Sequence, residues 1–371
     1  MSSKYNKIII TGDIFRSDPH GNGSQDININ WLHAALKPCL NLATSLPIEK
    51  HLFSKNDTSL TKSGYQMLKE ETSLHSWAKL FKTKEFSEEF LMSVWLNFRN
   101  SVVVTFELPE NLRFALDILN IPFIDIIIHP VRFLDDIIFG IRSNNREISQ
   151  LLCQYLIPDE SILIQAGIVL ASVSRLGRIN IPGRAALFAG QTTDDKVLIN
   201  DGKFYRVSDF LAELSSVADK YDTLVIKAHP YSKDPFEATS ISRLFENCIV
   251  VNNNFYFLMS HENIEAVYSI SSSTSIEAKY LGKQGYHLAD YPFRFTDEFN
   301  DAEFKLGSFF TVDDAIFSAD FWRNILSPVL PTSAITGVRI PKKANRIRTS
   351  LRSFWGFNFV DTDIICDLYK K

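Results

Sequence analysis

The 371-residue sequence holds only 4 cysteines, 15 glycines and 14 prolines, and each scarcity removes a class of protein. Cys39, Cys153, Cys248 and Cys366 lie roughly a hundred residues apart, so no pair has the close spacing of zinc sites or redox dithiols, and all four read as buried thiols. Low glycine and proline content with 45% apolar residues excludes collagen-like, disordered and disulfide-scaffold chains. Long apolar runs are missing too. No window approaches the roughly 18 apolar residues of a membrane span, and the short run at 8–10 cannot form the core of a secretory leader, so cytoplasmic residence is expected. Neither charge sign dominates: 39 Lys and Arg against 43 Asp and Glu give a formal charge of −4, which argues against a general nucleic-acid binder. No internal repeat or low-complexity segment is found, and the length suits two domains of about 150 residues with a tail.

What is present is an alternation of apolar strands with helical patterns. A β-branched run at 7–11 ends in Gly12-Asp13 and a polar loop, a common opening for an α/β domain. Helical periodicity at 29–45 and 86–99 leads to strand Ser101–Phe106; strand Phe123–Ile128 then runs into His129-Pro130 and a charged loop with Arg132, Asp135 and Asp136. Trp77, Phe81, Phe86 and Phe90 have near-helical spacing, which suits a helix core better than a sugar platform. Helical segments at 145–155 and 158–176 close a first domain of residues 1–176, and the Gly- and Pro-punctuated stretch 177–183 reads as a linker. In a second domain, 184–330, strands at Ala185–Ala189, 223–228, 248–252 and 266–270 alternate with helices. One of these helices is capped by Ser208, another lies near 254–261, and a third runs from about Ser275 to a C-cap at Gly282. This alternation predicts an α/β fold with parallel sheets.

Ligands of an open parallel sheet bind beyond the carboxyl ends of its strands, where helix N-termini also point. Three polar clusters occupy that position in the second domain. They are 191–195 with Gln191, Asp194 and Asp195; Lys227-Ala228-His229-Pro230; and five consecutive hydroxyl residues at 271–275, with Glu277 behind them. One serine there would be a helix cap, but a run of hydroxyls beside unpaired helix N–H groups makes a donor-rich pocket that suits a phosphate. Pro230 stops its strand, and His229 can donate to a phosphate or base oxygen with Lys227 adding positive charge; alone, the pair would be an ordinary turn. Asp194 and Asp195 fit a metal site, an acid/base pair, a nucleophile or a solvated turn.

Taken in order and spacing, Gln191-x-x-x-Asp195, His229-Pro230 and Ser272-x-Thr274-x-x-Glu277-Ala278 resemble motifs of the bacterial β-Kdo transferases of capsule and O-antigen synthesis, which use CMP-activated 3-deoxy-octulosonic acid (Kdo). The last two motifs are also similar to those of bacterial sialyltransferases. The resemblance covers residues 185–290 and implies a GT-B-like architecture: two Rossmann-like domains facing across a cleft, the donor nucleotide on the second. It implies that Lys227, His229, Pro230, Ser272, Ser273, Thr274 and Glu277 hold CMP and that Gln191 lines the donor site. It further implies that Asp195 is the nucleophile of a retaining reaction through a covalent Kdo–enzyme intermediate, with Asp194 the alternative one position away. Two other readings stay open. One is a sialyltransferase-like enzyme using another CMP-nonulosonic acid. The other is a non-catalytic glycan-binding or scaffold subunit, which would have no need of Asp195.

A CMP-sugar carries one phosphate, so no cation has to bridge two, and neither an essential metal nor a cofactor is expected. The resemblance also implies a saccharide acceptor as partner, expected to be a lipid-linked glycan and to be met mainly by the first domain. Gly12, Asp13, His129, Arg132 and Asp135 lie after strands there and are the acceptor-side candidates; Arg132 suits either a sugar carboxylate or a salt bridge to Asp135 or Asp136. In the tail, 331–371, Arg339, Lys342, Lys343, Arg346, Arg348 and Arg352 have no acidic residue among them and precede Phe354, Trp355, Phe357 and Phe359. This pattern fits a helix packing back on the first domain, or peripheral contact with anionic lipid on the inner face of the inner membrane.

Overall fold

A computed structural model describes residues 4–18, 23–53, 60–230, 236–333 and 346–351. In chain order its strands are β1 (Lys7–Gly12), β2 (Ile48–Lys50), β3 (Ser101–Phe106), β4 (Phe123–Ile128), β5 (Phe139–Ser143), β6 (Ala185–Ala189), β7 (Ile199–Asn200), β8 (Lys203–Phe204), β9 (Thr223–Lys227), β10 (Cys248–Val251), β11 (Ile264–Ser269), β12 (Gln284–His287), β13 (Phe295–Thr296) and β14 (Phe309–Val312). They form two principal sheets. One runs β13-β14-β5-β4-β3-β1-β2, parallel from β4 to β2; the other runs β10-β9-β6-β11-β12 and is parallel throughout.

The strands read as nearly continuous apolar runs because helices cover both faces of each sheet. Val102, Val103, Val104, Ile124 and Ile126 are fully buried in the first unit; Ala186, Leu187, Leu224 and Val225 are fully buried in the second. An acid within the first sheet's inner strands, Asp125 of β4, is buried and matched. It accepts hydrogen bonds from Thr105 Oγ1 (2.9 Å) and Leu108 N (2.9 Å) and pairs with Arg142 Nε at 3.0 Å.

Each sheet has a point where strand order reverses: between β1 and β3 in the first unit, between β6 and β11 in the second. The carboxyl ends of β3 and β4 face those of β6, β9 and β11 across one cleft, and residues from all five strand ends line a common cavity. The fold is therefore α/β and GT-B-like, with two Rossmann-like units.

The structure corrects the expected domain boundary. β13 and β14, placed by sequence in the second domain, leave it and extend the first sheet, with β14 antiparallel to β5. Helix Ala319–Leu326 comes after them and buries Phe321, Trp322, Ile325 and Leu326 in the first core. In the opposite sense, helix Asp159–Val173 is expected from sequence in the first domain, yet Ile162, Ala166, Val169 and Val173 pack in the second core, where Val131 and Phe133 of the β4–β5 connection also insert. Periodicity reveals which face of a helix is apolar but not which core that face joins.

The described part of the tail is the short helix Arg346–Leu351. Ile347 enters the first core, Ser350 Oγ accepts from the Trp31 indole (3.0 Å), and Asp136 accepts from Ile347 N (3.1 Å) and Arg348 N (2.9 Å). Arg348 is 1% exposed and donates to the Arg132 and Leu134 carbonyls, so its charge is not offered to a lipid surface. Arg339, Lys342, Lys343, Arg352, Phe354, Trp355, Phe357 and Phe359 lie outside the described residues, as does the side chain of Arg346. No helix among the described residues is long and apolar enough to cross a membrane.

Candidate functional site

The cavity between the units measures about 270 Å³, near the lower end of the roughly 300–1,000 Å³ typical of small-molecule sites. It lies at the carboxyl ends of β6 and β11, where the second sheet reverses order. The three polar clusters meet there: Gln191 and Asp195 after β6, Lys227, His229 and Pro230 after β9, and Ser272, Ser273, Thr274 and Glu277 after β11. Close backbone approach assembles them. A Cβ on Gly190 would stand 3.2 Å from the Lys227 carbonyl oxygen and 3.3 Å from His229 N, and Gly190 N donates to that same carbonyl at 2.8 Å.

Within the hydroxyl run the labour divides. Ser269 and Ser275 bond each other (2.8 Å), and Ser275 Oγ donates to the Tyr286 carbonyl, so both anchor the turn to β12. Ser271 Oγ donates to the Val197 carbonyl (2.8 Å), and Ser271 N donates to Gln191 Oε1 (2.8 Å). Gln191 thus lines the cavity while bracing the β6 loop against the β11 loop. Ser272 Oγ accepts from Thr274 N (3.3 Å) at the start of helix Thr274–Tyr280. Thr274 Oγ1 is buried without a hydrogen-bond partner among the described residues. A buried hydroxyl without a partner is costly in the empty protein and gains most from an arriving acceptor. The Ser272 carbonyl accepts from His287 Nε2 (2.8 Å), whose ring stacks on Tyr291 at 5.0 Å.

The two aspartates separate cleanly. Asp195 lines the cavity and caps a short 3₁₀ turn, Lys196–Leu198, through a bond from Val197 N to its Oδ1 (3.2 Å). Asp194 points elsewhere: its carboxylate pairs with Arg206 at 3.5 Å and its carbonyl accepts from Arg16 Nη2 at 3.0 Å. Next to Asp195, Lys196 pairs with Glu107 of the first unit and lies 5.4 Å from the Phe293 ring centroid. Glu107 sits just after β3 in the left-handed backbone region (φ +57°), a conformation that costs a non-glycine residue about 1–3 kcal/mol and turns this carboxylate into the cleft.

Glu277 bridges the two units. It is 3% exposed, and its Oε1 accepts from Arg132 N (2.7 Å) and the Tyr256 hydroxyl (2.9 Å) while Oε2 makes no hydrogen bond among the described residues. Desolvation pushes its pKa up to about 7 against the lowering effect of those donors and of Arg132. Between about 4.5 and 7, the unfolded chain ionises this group while the folded protein keeps it protonated, so folding stability contributed here falls as pH rises through that window. Thermal melts of wild type and Glu277→Gln between pH 4.5 and 8 check this. The variant, which retains an Oε1 acceptor, is expected to gain on wild type by up to about 3 kcal/mol by pH 8. A difference that does not change with pH would contradict the assignment.

On the acceptor side, only Arg132 of the expected set lines the cavity. Gly12 serves packing, since a Cβ there would lie 2.6 Å from the Phe106 carbonyl oxygen. Asp13 is 3% exposed and already engaged by Phe15 N, Arg16 N and the Trp77 indole (2.9 Å). His129 turns into the core: its ring packs edge-on against Phe295 of β13 at 4.6 Å, Nδ1 accepts from Val131 N, and burial lowers its pKa to about 3. Asp135 is exposed away from the cavity, because its loop turns to receive the Arg346–Leu351 helix. Glu107, Lys196, Tyr256, Tyr291 and Phe293 line the cavity unforeseen. A charged residue directly after an apolar strand was the available signal for Glu107; the crossing that delivers Tyr291 and Phe293 has none. Among the described residues, no group of three or more His, Cys, Asp or Glu side chains could hold a metal ion.

No protein-family profile matches the chain, and no curated protein does. Among solved structures it is similar to the KpsC beta Kdo 2,7 transferase of Thermosulfurimonas dismutans, at 13% identity and TM-score 0.31 over 54% of this chain and 68% of that one. It is also similar to the KpsC beta Kdo 2,4 transferase of the same organism, at 17% identity and TM-score 0.32 over 53% and 76%. A third is the UDP-GlcNAc 2-epimerase of Neisseria meningitidis bound to UDP-GlcNAc, at 13% identity and TM-score 0.25 over 75% and 80%. Likeness of this order says nothing of donor or reaction.

Proposed function

We propose that this chain is a retaining glycosyltransferase that moves Kdo from CMP-Kdo to a hydroxyl of a bacterial surface saccharide. The observation that carries this reading is the placement of a single aspartate, Asp195, in a cavity whose lining also includes Ser272, Ser273, Thr274, His229 and Lys227. A carboxylate and phosphate donors in one cavity supply the two groups that displacement at an anomeric carbon needs.

Asp195 attacks the anomeric carbon of Kdo, the carbon–oxygen bond to phosphate breaks, and CMP leaves with the electron pair. Ser272, Ser273 and Thr274 donate to the departing phosphate, with Lys227 and His229 supplying positive charge and a further donor. An acceptor hydroxyl then attacks the same carbon, loses its proton and expels Asp195; two inversions give net retention. Arg132, at the cleft's first-unit wall, suits the sugar carboxylate. Tyr291 and Phe293 supply apolar ring faces for the sugars.

Calorimetric titration with CMP tests the nucleotide site. Thr274→Val removes a buried hydroxyl without changing shape, so the empty variant is expected to be at least as stable as wild type while its CMP dissociation constant rises about 10-fold. EDTA is expected to leave binding and turnover unchanged. Unaltered CMP affinity in the variant, or activity lost to EDTA and restored by Mg²⁺, would count against the site as described.

A further inference from the structure

Helix Asp159–Val173 carries two apolar faces, and the fold uses one. Ile162, Ala166, Val169 and Val173 pack inward, while Leu163, Ile164 and Ile168 stand 51%, 63% and 53% exposed. Gly167 and Ala171 lie on the same outer face, and a Cβ on Gly167 would meet nothing within 4 Å. A surface helix ordinarily places polar residues there. A glycine inside a helix costs about 1 kcal/mol relative to alanine, and no described neighbour occupies the space it leaves. The charges on this face are segregated: Glu160 lies in the first turn of the helix and Arg175 just past its end.

We propose that this face joins two copies of the chain through an antiparallel pair of these helices, related by a twofold axis between Gly167 and Ile168. In that register Ile168 of each copy seats over Gly167 of the other, Ile164 over Ala171, and Glu160 stands opposite Arg175. Large meets small, and acid meets base, twice by symmetry. A parallel pairing would place acid against acid. An anionic membrane fits less well, because Asp159 and Glu160 at one end of the stripe would be repelled.

Sedimentation velocity on the full chain from about 1 to 100 μM tests this, since an interface of one helix pair suits a dissociation constant on the order of micromolar. Wild type is expected to dimerise. Ile164→Asp with Ile168→Asp is expected to weaken the dimer at least 100-fold with unchanged circular dichroism, and with an unchanged melting temperature at concentrations low enough for wild type to be monomeric, both side chains being exposed. Glu160→Arg and Arg175→Glu are each expected to weaken it about 10-fold, and their combination to return it to within about 3-fold of wild type. A monomeric wild type overturns the proposal, including one that binds anionic vesicles or covers this face with its own tail. So does a dimer indifferent to the Ile164 and Ile168 changes, or one that the charge exchange fails to restore.

Discussion

Asp195→Asn is expected to lower Kdo transfer by about 10⁴-fold or more while CMP affinity stays within about 3-fold of wild type. Asparagine keeps the oxygen that accepts from Val197 N, so the Lys196–Leu198 turn survives and the loss reports on nucleophilicity alone. Asp194→Asn gives the contrast. Among the described residues its carboxylate pairs with the half-exposed Arg206, a contact worth about 0–1 kcal/mol, so turnover is expected to fall by no more than about 3-fold. Steady-state kinetics with CMP-Kdo generated in situ measure both. Equal losses in the two variants, or none in Asp195→Asn, would remove Asp195 from the mechanism.

The second large effect comes from a residue with no polar chemistry. Helix Thr274–Tyr280 lies so close to β12 that a Cβ on Gly285 would stand 1.7 Å from the Ser275 carbonyl oxygen and 2.8 Å from its carbonyl carbon. Backbone cannot move aside as a side-chain tip can, so one methyl group must push the helix, and the hydroxyl run at its start, away from the sheet. Gly285→Ala is expected to cost about 3 kcal/mol and to lower CMP affinity at least 100-fold. Gly282→Ala is the control. That residue has φ +75° and open space around it, so alanine should cost about 1 kcal/mol and leave CMP binding unchanged. Chemical denaturation with CMP titration separates the outcomes. A Gly285→Ala protein that binds CMP normally would show that the hydroxyl run does not depend on this contact.

These residues also mark the reach of sequence reasoning. Strands such as β3 and β9 are legible because a buried parallel strand must be apolar along its whole length. The polar clusters behind them are legible because a strand that stops at Gly190 or Pro230 delivers the next side chains to the sheet's carboxyl edge. The same rule misplaces His129. It too comes after a strand, but its ring is taken up by Phe295 of β13, a strand that reaches the first sheet only by a long crossing from residue 287 to residue 295. Gly285 carries no local signal, since its necessity arises from a helix laid against it by tertiary packing. Glu107 has a local signal in its position after β3, but not in the left-handed backbone that aims it into the cleft. Asp194 and Asp195 could not be separated by spacing; the bond from Val197 N and the pull of Arg206 separate them in space.

Intact-protein mass spectrometry after incubation with CMP-Kdo in the absence of acceptor tests the central claim most directly. The account predicts a Kdo-sized adduct on wild type that persists in Asp194→Asn, maps by peptide analysis to Asp195 and is absent from Asp195→Asn. Wild type that binds CMP and turns over donor without any adduct, or an adduct that maps to another residue, would contradict it.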